Sequence, residues 1–223
     1  MRPWVQKARL HAGRVQRSWQ NASRLQTALV GGIAVVLLSV GAVATGLTVG
    51  ADGPAAAAAP ADVHASAPGC ATVGDDAVEQ AVPSAVLETA ERGPLSDASG
   101  SSCAWTSLND GAAPARSISI DFEAHYTDKS GEVSGDRRAS EQLRRLAPVG
   151  GLEGAVPVNA LGEGALAWPS RSGGSTAEVA FRSDNLVVRV FYGGDEAAAG
   201  PPMSYDAARE GAVGVAESVK ESL

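Results

Sequence analysis

Apolar and polar residues alternate along residues 116–125. Ile118, Ile120, Phe122 and Ala124 interleave with Ser117, Ser119, Asp121, Glu123 and His125, the period of a strand with one buried and one wet face. The preceding CAWTSL, from Cys103, reads as its partner strand across the turn NDGAAP. Further on, TAEVAFR and LVVRVFY form two strands around the tight turn at residues 183–185, and the second is apolar on both faces, as a central strand is. A short strand is expected near residues 165–168, after the glycine-rich run PVGGLEGAVPVNALGEG.

Helical spacing marks three other stretches. Asp76 and Glu79 have capping-box spacing and Arg92-Gly93-Pro94 makes a stop, which predicts a helix within 76–92, either kinked at Pro83 or well formed only from Pro83 onward. In 135–147, Ala139, Leu143, Leu146 and Ala147 share a side while Arg137, Arg138, Glu141, Arg144 and Arg145 lie elsewhere, as on an amphipathic surface helix. Ser204 precedes a last helix whose buried stripe is Ala208, Ala212, Val215 and Val219, after a flexible GGDEAAAGPP. The order α-β-β-α-β-β-β-α predicts an α+β domain with an antiparallel sheet packed with helices.

Ahead of this domain, residues 28–51 carry no charge and are long enough to cross a bilayer as one helix. A cleaved secretory signal is the competing reading, opposed by the long leading segment and the length of the apolar run. Charge divides at this segment. Residues 1–50 hold Arg2, Lys7, Arg9, Arg14, Arg17 and Arg24 and no acidic side chain, whereas the rest has 12 basic and 25 acidic residues. The cationic side stays in the cytoplasm by the positive-inside rule, so the acidic body faces outward. A body of net −13 is a poor surface for phosphate, which argues against nucleic acid as a partner.

The expected organisation is therefore a basic head (1–27), a membrane span that partners the lipid bilayer (28–51), an Ala/Pro-rich spacer (52–68) and an extracytoplasmic domain (69–223). In the head, Trp4, Ala8, Ala12, Val15, Trp19 and Ala22 recur at helical spacing opposite the basic residues, the pattern of an interfacial helix touching anionic lipid. A disordered cationic tail that only sets topology fits equally well. The spacer has nothing large to bury, and its lone His64 is given no role.

Candidate chemistry is sparse. Cys70 and Cys103 are the two cysteines, and outside the cytoplasm they form a disulfide closing a loop of 33 residues. That bond pins the start of a strand to the domain's N-terminus, with Trp105 packed over it. A lipid on Cys70 is the lesser reading, since the apolar run ends some twenty residues upstream, and a redox role lacks CxxC spacing. Asp121, Glu123 and His125 share a strand face, but the first and last stand roughly 13 Å apart, too far for one ion; a solvated face is the simpler reading, and no metal or cofactor is assigned. Arg189 on a central strand either pairs with a buried carboxylate or lines a pocket. Trp168 either packs in the core or lines a cleft.

Cys70, the CAW of 103–105, LGEGALAW at 161–168 and RSDNLVVRV at 182–190 together resemble an actinobacterial cell-envelope family known only as a domain of unknown function. The likeness covers about residues 69–222. It implies a secreted, often lipoprotein, domain whose two cysteines pair, and binding rather than catalysis; this chain differs in carrying a membrane span and LGEG where LGDE is more usual. The expectation is a tethered binding or accessory module for an envelope component or protein. The alternatives are an enzyme acting on glycan or lipid through Asp121 and Glu123, and a single-pass sensor.

Overall fold

The computed structural model describes residues 56–107, 115–148, 151–170, 175–194 and 203–223. Residues Ala55–Leu223 form one compact unit. The basic head, the apolar run 28–51 and the turn at 109–114 lie outside the described residues. Among the described residues no helix is long and apolar enough to cross a membrane.

The unit is α+β. A seven-stranded antiparallel sheet has the order β1-β2-β3-β7-β6-β5-β4, built from β1 (Ala85–Leu95), β2 (Ala98–Ser107), β3 (Arg116–His125), β4 (Val156–Pro157), β5 (Leu166–Pro169), β6 (Thr176–Ser183) and β7 (Leu186–Gly194). The helices are α1 (Asp75–Ala81), α2 (Gly135–Leu146) and α3 (Tyr205–Glu221). As its all-apolar pattern requires, β7 is the central strand, and β6 reaches it through a two-residue hairpin in which Asp184 takes φ +50°.

The two-fold period of the strands sorts the sheet into two faces. One carries Cys103, Trp105, Ile118, Ile120, Phe122, Val179, Phe181, Val188, Val190 and Tyr192, and α1 and α3 close over it to make the main core. The other carries Asp121, Glu123, Arg189, Glu178 and Trp168 and is covered by α2, through a small cluster of Leu143, Ala147, Leu166, Trp168 and Ala180. Ser134 caps α2 through the Arg137 amide, and Ser204 caps α3 through the Ala207 amide, as their N-terminal patterns predict.

The helix expected over 76–92 is the main correction. It ends at Ala81, and residues 85–95 are instead the edge strand β1. Pro83 disfavours helical backbone at the preceding Val82, which leaves the helical region at φ −127° and ψ 84°. The capping box does not form: Gly74 is the N-cap, and Glu79 turns forward to accept the Ser84 amide at 2.8 Å. The alanines and glutamates of 85–95 favour helix locally, but ten paired positions with β2 override that preference. Pro94 survives inside a strand because the strand is an edge. The two-residue β4 was also unanticipated, so the order is α-β-β-β-α-β-β-β-β-α.

The second half of the supposed spacer belongs to the domain. Asp62 accepts the backbone N–H and hydroxyl of Thr127 at 3.0 and 2.7 Å, the His64 and Asn185 groups bond reciprocally, and Ala67 is fully buried. These bonds hold 59–68 as a strap along one end of the sheet. Gly135 is required there: a Cβ would strike the His125 carbonyl oxygen and the Asp62 carboxylate.

Candidate functional site

Cys70 and Cys103 form the disulfide, with Cα atoms 5.6 Å apart. Cys103 is not at a strand start, as expected, but is the sixth residue of β2, fully buried between Ala90 on β1 and Ile120 on β3. Trp105 lies two residues on along the same face, opposite Leu87 and Ile118, and joins the same core cluster. Both residues therefore serve the core, on the face turned away from the remaining candidates.

Asp121, Glu123, His125, Trp168 and Arg189 all lie on the α2 face, where the strand period puts them. The order β3-β7-β6-β5 sets them side by side: Asp121 is opposite Arg189, Arg189 opposite Ala180, and Trp168 opposite Glu178. Arg189 does both things the sequence left open. Its Nε and Nη2 donate to Glu178 Oε2 at 3.2 and 2.5 Å, and its guanidinium stacks 4.3 Å from the centroid of Phe191. Glu178 is buried, and Ser170 Oγ donates to its other oxygen at 2.7 Å, so the ionic pair is desolvated on one side but fully bonded.

This pair forms the floor of a cleft of about 1110 Å³ between the sheet, the C-terminal end of α2 and residues 151–154. Trp168, Phe191, Leu146 and Leu152 give it apolar walls, and the exposed Arg145 and Glu153 stand at its rim. Trp168 is thus core and cleft wall together, since it is only 5% exposed yet borders the cavity. A smaller hollow of about 220 Å³ shares Leu146 and Arg189 with the cleft and extends it toward Asp121 and Glu123. Sequence reasoning missed Phe191, Glu178 and Arg145. The signal for the first two was their placement, by strand period, on the face of Arg189.

The wet-face triplet is held in ordinary pairings. Asp121 accepts from Ser102 Oγ at 2.7 Å, and Glu123 accepts from Gln142 Nε2 at 3.3 Å. His125 Nε2 stands 3.4 Å from Glu123 Oε1, within ion-pair reach but without hydrogen-bond geometry. Burial pushes the His125 pKa below its ordinary value; Glu123 opposes that shift and Arg138 and Arg145 add to it. Among the described residues no group of three His, Cys, Asp or Glu side chains is close enough to hold a metal.

No family model, curated protein or solved structure matches the chain.

Proposed function

We propose that the chain is a membrane-anchored, extracytoplasmic module of the cell envelope that binds its ligand without transforming it, and that the cleft beneath the end of α2 is the binding site. The observation that carries this reading is the cleft's make-up: aromatic and aliphatic walls around an internally neutralised ion pair, the usual composition of a site that holds a ligand by burial and orients it with a few polar groups. The carboxylates on this face are already engaged by Arg189, Ser170, Ser102 and Gln142. The uncharged run 28–51 next to a cationic head supports the anchor, and the disulfide supports an oxidising compartment. The resemblance to secreted envelope domains points the same way.

The test follows Trp168 fluorescence in the full-length protein with Trp4, Trp19 and Trp105 replaced by phenylalanine, during titration with vesicles of envelope lipid and with soluble envelope glycan fragments. Binding that perturbs the wild type, is lost in Phe191→Ala and Arg145→Glu, and returns the probe chemically unchanged supports the module. Conversion of either probe that disappears in Asp121→Ala or Glu123→Ala would replace it with an envelope enzyme.

A further inference from the structure

The sheet has two unlike edges. One is β4, two residues long and containing Pro157. The other is β1, eleven residues long, whose outer side is paired with no strand among the described residues. Such an edge presents a row of unsatisfied N–H and C=O groups, which proteins normally shorten or cover. Large exposed hydrophobics gather there too: of Val63, Val86, Leu87 and Leu95, which are 42 to 67% exposed, the last three are on β1.

Beside this edge, on the α2 face, lies a hollow of about 470 Å³. Gly93 leaves open space on its floor, the Leu95 side chain lies over Gly100, and Glu91, Asp121 and Glu123 line the hollow. Arg92 borders the hollow, but its guanidinium turns to the opposite face, where it donates to the Ala67 carbonyl and to Ser66 Oγ. The strand period thus gives β1 two different flanks: Leu87, Ala90, Arg92 and Pro94 on the core side, and on the other Glu91 between Thr89 and Gly93, with Val86 and Leu95 toward the strand ends and the β3 carboxylates Asp121 and Glu123 deeper in the hollow.

We propose that β1 is a β-augmentation site that takes an extended segment of a partner protein, added as an eighth strand, in which apolar and cationic residues alternate. Backbone groups of β1 supply the ladder on either side of the bulge between Leu87 and Thr89 and up to Pro94, which has no N–H; the apolar side of the guest covers Leu87 and Ala90, and a Lys or Arg on its other side meets Glu91 at the mouth of the acidic hollow. A second copy of this chain is the poorer occupant. The hollow side of β1 carries Val86, Thr89, Glu91, Gly93 and Leu95, so self-pairing delivers no cation and adds carboxylates to carboxylates. This surface is separate from the cleft and does not depend on the reading given to it.

The experiment uses the full-length protein and three synthetic peptides of about nine residues, the length of an ordinary strand: alternating valine and lysine, alternating valine and glutamate, and alternating proline and lysine. The valine-lysine peptide is expected to bind at least about tenfold more tightly than either other peptide, to protect the amides of 85–95 from hydrogen exchange, and to lose its advantage in Glu91→Lys. Equal binding of the proline-lysine peptide, or protection falling elsewhere, would reduce the effect to attraction between a cation and an acidic body and overturn the proposal. So would concentration-dependent protection of β1 without peptide, accompanied by a doubled mass, which would make a second copy the occupant.

Discussion

Asn185 and His64, 121 residues apart, exchange two hydrogen bonds: the His64 amide donates to Asn185 Oδ1 at 2.8 Å, and Asn185 Nδ2 donates to the His64 carbonyl at 3.0 Å. The same Nδ2 donates to the His125 carbonyl at 2.7 Å, and Asn185 is 2% exposed. One side chain at the β6-β7 turn thereby fastens the strap to the end of β3. Replacing Asn185 with alanine strands three backbone groups in a largely dry corner. The expected loss is about 2 to 3 kcal/mol in urea unfolding, with faster hydrogen exchange confined first to 59–68. A change below about 0.5 kcal/mol, the scale of a neutral surface substitution, would mean the strap contributes nothing to the fold.

That corner also makes stability depend on pH. The imidazole Nε2 atoms of His64 and His125 are buried without hydrogen-bond partners. Burial lowers the pKa of His64 against the opposing charge of Asp184, and lowers that of His125 against Glu123 with help from Arg138 and Arg145. Below its unfolded pKa of about 6.5 the unfolded chain takes up protons that the folded chain resists, so stability is complete above that value and falls as pH drops toward the folded values. Unfolding midpoints should therefore decline between neutral pH and about pH 5, and His64→Gln with His125→Gln should flatten the decline. An unchanged slope in the double variant would assign the dependence to carboxylates.

How much of this was written in the chain is clearest strand by strand. β3 and α3 were legible because their apolar periods are unbroken and each buries one face. β1 was not, because Ala85–Leu95 carries helix-favouring residues and its strand form is fixed only by β2, which no local pattern displays. The strap failed for the same reason: alanine and proline look unburiable, yet Ala67 is fully enclosed by a partner far along the sequence. At the site, period two placed Asp121, Glu123 and His125 on one face, but the neighbours of Arg189 depended on strand order. Glu178 became its partner only because β6 lies beside β7.

The disulfide joins Cys70, in a short 3-10 turn just beyond the strap, to the middle of β2, a sequence separation of 33. Chain entropy assigns a bond closing such a loop about 3 to 4 kcal/mol. The main core is built largely from alanine and valine, so that contribution is a large part of a typical domain's stability. Reduction, or Cys103→Ser, should lower the unfolding free energy by that amount and, by letting the unfolded chain expand, raise the unfolding slope. An unfolding free energy that is equal with the bond intact and with both thiols shown to be reduced would remove the disulfide from the sources of stability.

Two glycines within α3 should respond oppositely to the same substitution. Gly211 faces the ring of Tyr192 on β7 so closely that a Cβ would overlap its Cε1 and Cδ1 atoms. That ring cannot retreat freely, since its hydroxyl donates to the Ala81 carbonyl at 2.6 Å and so ties the sheet to the end of α1. Gly214, one turn on, is exposed and has open space where a Cβ would stand. Gly214→Ala should therefore stabilise the protein by about 0.5 to 1 kcal/mol, the helix propensity of alanine over glycine. In Gly211→Ala the same gain is outweighed by overpacking of about 1 to 3 kcal/mol, and a net loss is expected. Pairing Gly211→Ala with Tyr192→Leu should recover part of the loss by removing the ring, at the expense of the bond to Ala81. If both alanines stabilise equally, α3 stands farther from the sheet than the Tyr192 contact requires.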